Sequence, residues 1–64
     1  MHLLRRIERY LGRSGTTPTR FGRDAVRDPR FVFDLRLGRQ PRPPLERRVQ
    51  AFLDQREAQL ERGR

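Results

Sequence analysis

Apolar and polar positions in this chain recur with the period of a helix rather than a strand. In "LLRRIERYL", Leu3, Leu4, Ile7, Tyr10 and Leu11 return at helical intervals with Arg and Glu between them, which puts them on one face at 3.6 residues per turn. The spacing predicts a first helix from Leu3 to Leu11, closed by Gly12 and Gly15.

"TTPTRFGRDAV" opens on start signals. Thr17 is a natural N-cap, and Pro18 suits the first helical position, where the missing N–H has no partner to lose. A second helix is predicted over Pro18 to Ala25, with Phe21 and Ala25 one turn apart on the inner face. Gly22 falls mid-helix, where glycine costs about 1 kcal/mol against alanine. A glycine kept at that cost predicts a second helix passing close by.

"RDPRFVFDLRLG" repeats the start signals, with Asp28 as N-cap and Pro29 next. Asp28 also complements the positive end of the helix dipole. The third helix is predicted over Pro29 to Leu37, with Gly38 as its terminator. "FVFDL" has strand-forming residues, but Asp28-Pro29 before it and Gly38 after it favour a helix. Only Val26, Arg27 and the cap separate the second and third helices, so a tight turn and a steep crossing are expected.

"RQPRPP", Arg39 to Pro44, reads as a proline-stiffened loop. A fourth helix follows over Pro44 to Glu61, with Leu45, Val49, Phe52, Leu53 and Leu60 on one stripe and polar final turns. The expected fold class is all-α: a small four-helix domain over residues 1–64 with a central helix-turn-helix. Phe21, Val32, Leu35, Val49 and Phe52 are the expected core, with Tyr10 at its edge and the hydroxyl in water.

Length and composition narrow the chemistry. Sixty-four residues make one small domain, and a chain of this size buries only about 60% of its unfolded surface. Cysteine is absent, which removes disulfides, thiolate chemistry and cysteine-bound zinc. The acids have no spacing for paired acid–base work and no ligand set for a metal, so no enzyme activity, no metal and no cofactor are expected. No apolar run approaches the roughly 18 residues of a membrane span. "LL" at Leu3 and Leu4 is broken by "RRIER" before it can form a signal-peptide core. A cytoplasmic, nucleoid-associated protein without a membrane partner is expected, and His2 is expected to be inert.

Charge adds a partner class. Sixteen basic residues, all arginine, oppose eight acids for a net +8. A genome rich in G and C accounts for arginine over lysine, but not for the excess of bases over acids. Nine arginines face four acids between Arg20 and Arg48, whereas Val49 to Arg64 has three of each. The excess therefore lies in the helical body rather than in a basic tail, and it implies an anionic partner, nucleic acid first.

The stretch Ile7 to Leu53 resembles the lambda-repressor-like (Cro and phage-repressor type) helix-turn-helix family. The resemblance rests on Phe21 followed by the small Gly22, on Ala25 as the next core position, on the apolar pair Val32 and Leu35, and on Gly38-Arg39 followed by Pro41. It implies that Gly22 seats the third helix, with Val32 and Leu35 anchored against it. Val26 stands where the family's turn usually carries glycine, so Arg27-Asp28-Pro29 is expected to make a different corner. The resemblance implies a sequence-specific double-stranded DNA-binding regulator, repressor-like, in a phage or mobile-element setting, with the third helix in the major groove.

Helical spacing puts Arg30, Phe33, Asp34 and Leu37 on the face opposite Val32 and Leu35. Arg30 suits a bidentate contact to guanine; Asp34 suits a cytosine amino group or a tether for Arg30; Phe33 and Leu37 suit thymine methyls. Thr17, Thr19, Arg20 and Arg23 at the second helix, with Arg39 and Arg42 in the loop, are the expected phosphate contacts. A homodimer is expected, joined through Phe52, Leu53 and Leu60. Two rivals stand beside this reading: a protein-interaction module that grips an acidic protein partner through Phe33 and Leu37, and a nucleoid-type DNA binder of low specificity.

Overall fold

The computed structural model describes residues 2–63. Its elements are α1 (Leu3–Ser14), α2 (Pro18–Val26), α3 (Phe31–Arg36) and α4 (Pro43–Arg62), with no strand among the described residues. The protein is a small all-α fold.

Each terminus has a local cause. α1 runs past Gly12 and ends only at Gly15, which takes the left-handed conformation (φ 74°) while its N–H bonds the Leu11 carbonyl. Gly12 is therefore not a terminator: a single glycine weakens a helix, but left-handed geometry is what stops one. α2 begins as expected, with Pro18 in its first turn and the Arg20 N–H donating to Thr17 Oγ1 at 3.2 Å. α4 starts at Pro43, one residue early, with Glu46 in its first turn.

α3 is shorter than the spacing predicts. Pro29 and Arg30 form a turn before it, and the helix occupies only Phe31–Arg36. Asp28 builds that turn with two acceptors: its Oδ1 takes the Arg30 N–H at 3.0 Å and its carbonyl oxygen takes the Phe31 N–H at 3.1 Å. The aspartate caps the turn rather than the helix proper. Gly38 (φ 105°) closes the other end.

The core joins all four helices: Leu3, Ile7, Tyr10 and Leu11 of α1, Phe21 and Ala25 of α2, Phe31, Val32 and Leu35 of α3, and Val49 and Leu53 of α4. Tyr10 lies 5.9 Å from Phe21, and Phe21 meets Phe52 edge-on at 5.4 Å between ring centroids. Two residues are buried against expectation. Phe31, absent from the predicted core, is 0% exposed, and Leu53, expected at a dimer surface, is also 0% exposed. A stripe of helical period does not say how far the neighbouring helices wrap round it. Here α4 is held across both α1 and α2, and Leu53 falls inside that contact. Phe52 is only partly buried, under the Arg56 guanidinium at 4.8 Å from its ring centroid.

Gly22 is the close approach that its position in mid-helix predicts. A β-carbon there would collide with the Asp28 carbonyl oxygen and lie 3.2 Å from the Phe31 β-carbon. The seat is thus filled by Asp28 and Phe31, not by Val32 and Leu35, because the chain enters α3 directly over the glycine. Val26 stays inside α2, and the left-handed residue is Arg27 (φ 59°, ψ 32°). A β-branched side chain is strained at positive φ, so the corner falls one residue later, on an unbranched one.

Candidate nucleic-acid interface

α2 turns its apolar residues Phe21, Gly22 and Ala25 inward and leaves Arg20, Arg23 and Arg27 exposed. The spacing of three residues puts Arg20 and Arg23 on one face of α2, and Arg27 follows in the turn. In and beside α3, Phe31, Val32 and Leu35 are buried while Arg30, Phe33, Arg36 and Leu37 are exposed and Asp34 is partly so. Of the outward set expected from spacing, Arg30, Phe33 and Leu37 are exposed and Asp34 is half-buried. Leu37 is 86% exposed and Phe33 43%.

The acids near this face are already engaged. Arg39 reaches back to Asp34 at 3.2 Å and Asp28 at 3.5 Å, and lies 5.9 Å from the Phe31 ring centroid. Its backbone N–H also donates to the Asp34 carbonyl at 3.0 Å. Asp34 therefore tethers Arg39 rather than Arg30, and Arg39 holds the loop to the corner instead of standing free.

Arg36, which helical spacing left unassigned, donates twice to Glu8 of α1, at 2.8 and 2.9 Å, and stands 5.6 Å from the Phe33 ring centroid. The Arg36 hydrogen bonds hold the Glu8 carboxyl below the usual glutamate range, and Glu8 raises the Arg36 guanidinium in return. On the other side of α1, Arg6 donates to Glu57 at 3.0 Å and to Asp54, which raises the Arg6 guanidinium further. These pairs join α3 to α1 and α1 to α4.

What remains is cationic. Among the described residues, only Arg6, Arg20, Arg36 and Arg39 make ion pairs. Arg20 meets Asp24 at 3.7 Å with its side chain 76% exposed, a surface pair of little energetic weight. Arg23, Arg27 and Arg30 at the α2–α3 corner and Arg42 ahead of α4 have no acid within reach. Thr17 and Thr19 are exposed at the start of α2 beside Arg20. Arg27 is the member of this group that spacing alone misses; its only sequence signal is a long cationic side chain in a short turn.

Arg5, Arg9 and Arg13 form a second exposed stripe on α1, at intervals of four residues, again without a paired acid. Of the three residues expected at a dimer contact, Leu53 is withdrawn into the core, and Phe52 and Leu60 are partly buried.

Among the described residues no cluster of His, Asp or Glu could hold a metal ion, and no helix is long and apolar enough to cross a membrane. No protein-family model matches the chain, and no curated protein or solved structure matches it either.

Proposed function

We propose that the chain is a sequence-specific double-stranded DNA-binding regulator of the lambda-repressor-like kind, with residues 29–37 entering the major groove. One observation carries this reading. The outward side of the α2–α3 corner has more arginines than acids, and the acids near it are paired: Asp24 with Arg20, Asp28 and Asp34 with Arg39, and Glu8 of α1 with Arg36. Arg23, Arg27 and Arg30 are left to meet an anion. The corner that carries them is braced on both sides by buried residues, Phe21 and Ala25 of α2 and Phe31, Val32 and Leu35 of α3.

In this reading Arg30 contacts a base, and Phe33 and Leu37 lie against thymine methyls. Arg20, Arg23, Thr17 and Thr19 hold phosphates, with Arg42 at the far edge. Arg39 and Asp34 serve chiefly to brace one another. A homodimer would set two such helices about 34–36 Å apart. With Leu53 in the core, the α4 surface left for that contact lies around Leu60.

Selection of bound duplexes from a random pool tests the reading. A preferred sequence is expected, and Arg30→Ala relaxes it at one base position by about 1–3 kcal/mol. Failure of the parent protein to retain any duplex at about 50 mM salt, where phosphate contacts are strongest, overturns it. A second reading, docking to an acidic protein, is favoured by the exposure of Leu37. It gains if Leu37→Ala abolishes a protein contact while DNA binding is unchanged.

A further inference from the structure

Arg27 is the one non-glycine residue at positive φ among the described residues. Its backbone sits at φ 59°, ψ 32°, a conformation that glycine adopts freely and asparagine more readily than other side chains. Its N–H bonds the Arg23 carbonyl at 3.0 Å, so the turn uses only its backbone. The side chain is exposed and has no acid within salt-bridge reach. Nothing inside the fold calls for arginine here, and the backbone disfavours it. A strained residue that serves no internal contact points outward, to a function.

We propose that Arg27 is a phosphate-binding residue of the corner, holding the duplex backbone between the phosphate contacts of α2 and the base contact of Arg30. The proposal rests on the DNA-binding reading above. Position favours a phosphodiester over a base. Arg27 lies in the turn between the two helices, four residues after the exposed Arg23 and three before the exposed Arg30. It also precedes the segment assigned to the groove. The Gly22 seat beside it is filled by the Asp28 carbonyl and Phe31, and the Arg27 side chain is exposed. A guanidinium held there offers paired donors to phosphate oxygens.

The position allows a test in which fold and function move in opposite directions. Arg27→Gly relieves the backbone and removes the guanidinium. Arg27→Gln removes the charge alone, and Arg27→Lys keeps it. Thermal unfolding and duplex binding across a salt series are measured for each, with Arg5→Gln as a control for one charge lost elsewhere. Arg27→Gly is expected to raise Tm by a few degrees, yet weaken binding about 3- to 10-fold for all sequences alike. It should also flatten the log–log salt dependence by about 0.9, one phosphate contact. Arg27→Gln loses binding in the same way, Arg27→Lys retains most of it, and Arg5→Gln leaves the slope unchanged.

If the parent binds and Arg27→Gly binds equally tightly with the same slope, the assignment is overturned while DNA binding stands. If Arg27→Gly alters sequence preference without changing the slope, Arg27 is not a phosphate contact. If the parent binds no duplex, the assignment falls together with the reading beneath it.

Discussion

Gly22 and Asp28 clasp each other through their backbones. The Asp28 N–H donates to the Gly22 carbonyl at 3.0 Å, and the Asp28 carbonyl oxygen occupies the space where a β-carbon on Gly22 would stand. This contact sets how α3 leaves α2, and with it the direction in which Arg30, Phe33 and Leu37 face.

Gly22→Ala should therefore destabilise the fold although alanine is the better helix former. The propensity gain is about 1 kcal/mol, whereas forcing a methyl into a packed backbone contact costs about 1–3 kcal/mol. Because the obstacle is a carbonyl rather than a flexible side chain, the cost belongs at the upper end. A fall in Tm of several degrees by circular dichroism is expected; a rise shows that the corner is not closed in this way.

Phe31 and Phe33 are near neighbours with opposite fates. Phe31→Ala removes a fully buried ring and should cost about 3–5 kcal/mol, enough to unfold much of a domain this small. Phe33→Ala and Leu37→Ala, at exposed positions, should change stability by about 0.5 kcal/mol or less. Urea titration of the three variants decides it, and equal losses for Phe31 and Phe33 contradict the assigned core.

Leu53→Ala separates core from dimer contact. At 0% exposure, its loss should cost about 2–5 kcal/mol and leave the light-scattering mass of the folded fraction unchanged. A lower mass with unchanged Tm puts Leu53 back at an interface.

Arg6 joins α1 to α4 with its side chain 16% exposed, against Glu57 at 19%. Arg6→Ala leaves Glu57 without its donor and should cost about 1.5–3 kcal/mol, the range for a hydrogen bond to a charged group. Urea titration of the parent and Arg6→Ala at neutral pH measures the loss; equal midpoints contradict the link.

The Glu8–Arg36 pair has its own pH signature. Arg36 lowers the Glu8 carboxyl in the fold, so folding binds fewer protons than the unfolded chain does in that range. The stabilisation is fully present above the unfolded glutamate value, about pH 4.3, and is lost as pH falls through the lowered folded value. Tm against pH for the parent and Glu8→Gln should converge in that acid window and separate above it. A constant gap across the window contradicts the pair.

The sequence by itself determined that the chain is helical, where α1 and α2 begin, and that Phe33 and Leu37 stand exposed. Those properties are local: apolar period, the Thr17 cap, proline in the first turn of α2, and glycine with positive φ at residues 15 and 38. Even the close approach at Gly22 was legible, because a mid-helix glycine keeps its helical cost only where something must come near. Only the tertiary structure decided the rest. Phe31 is buried because the Asp28 turn swings the start of α3 over Gly22, and Leu53 is buried because α4 lies across both α1 and α2. The fates of the arginines were also beyond reach: Arg36 with Glu8 and Arg6 with Glu57 are 28 and 51 residues apart in the chain. Helical period assigns a side chain to a face, but the fold alone brings distant charges within reach and so leaves Arg23, Arg27 and Arg30 unpaired.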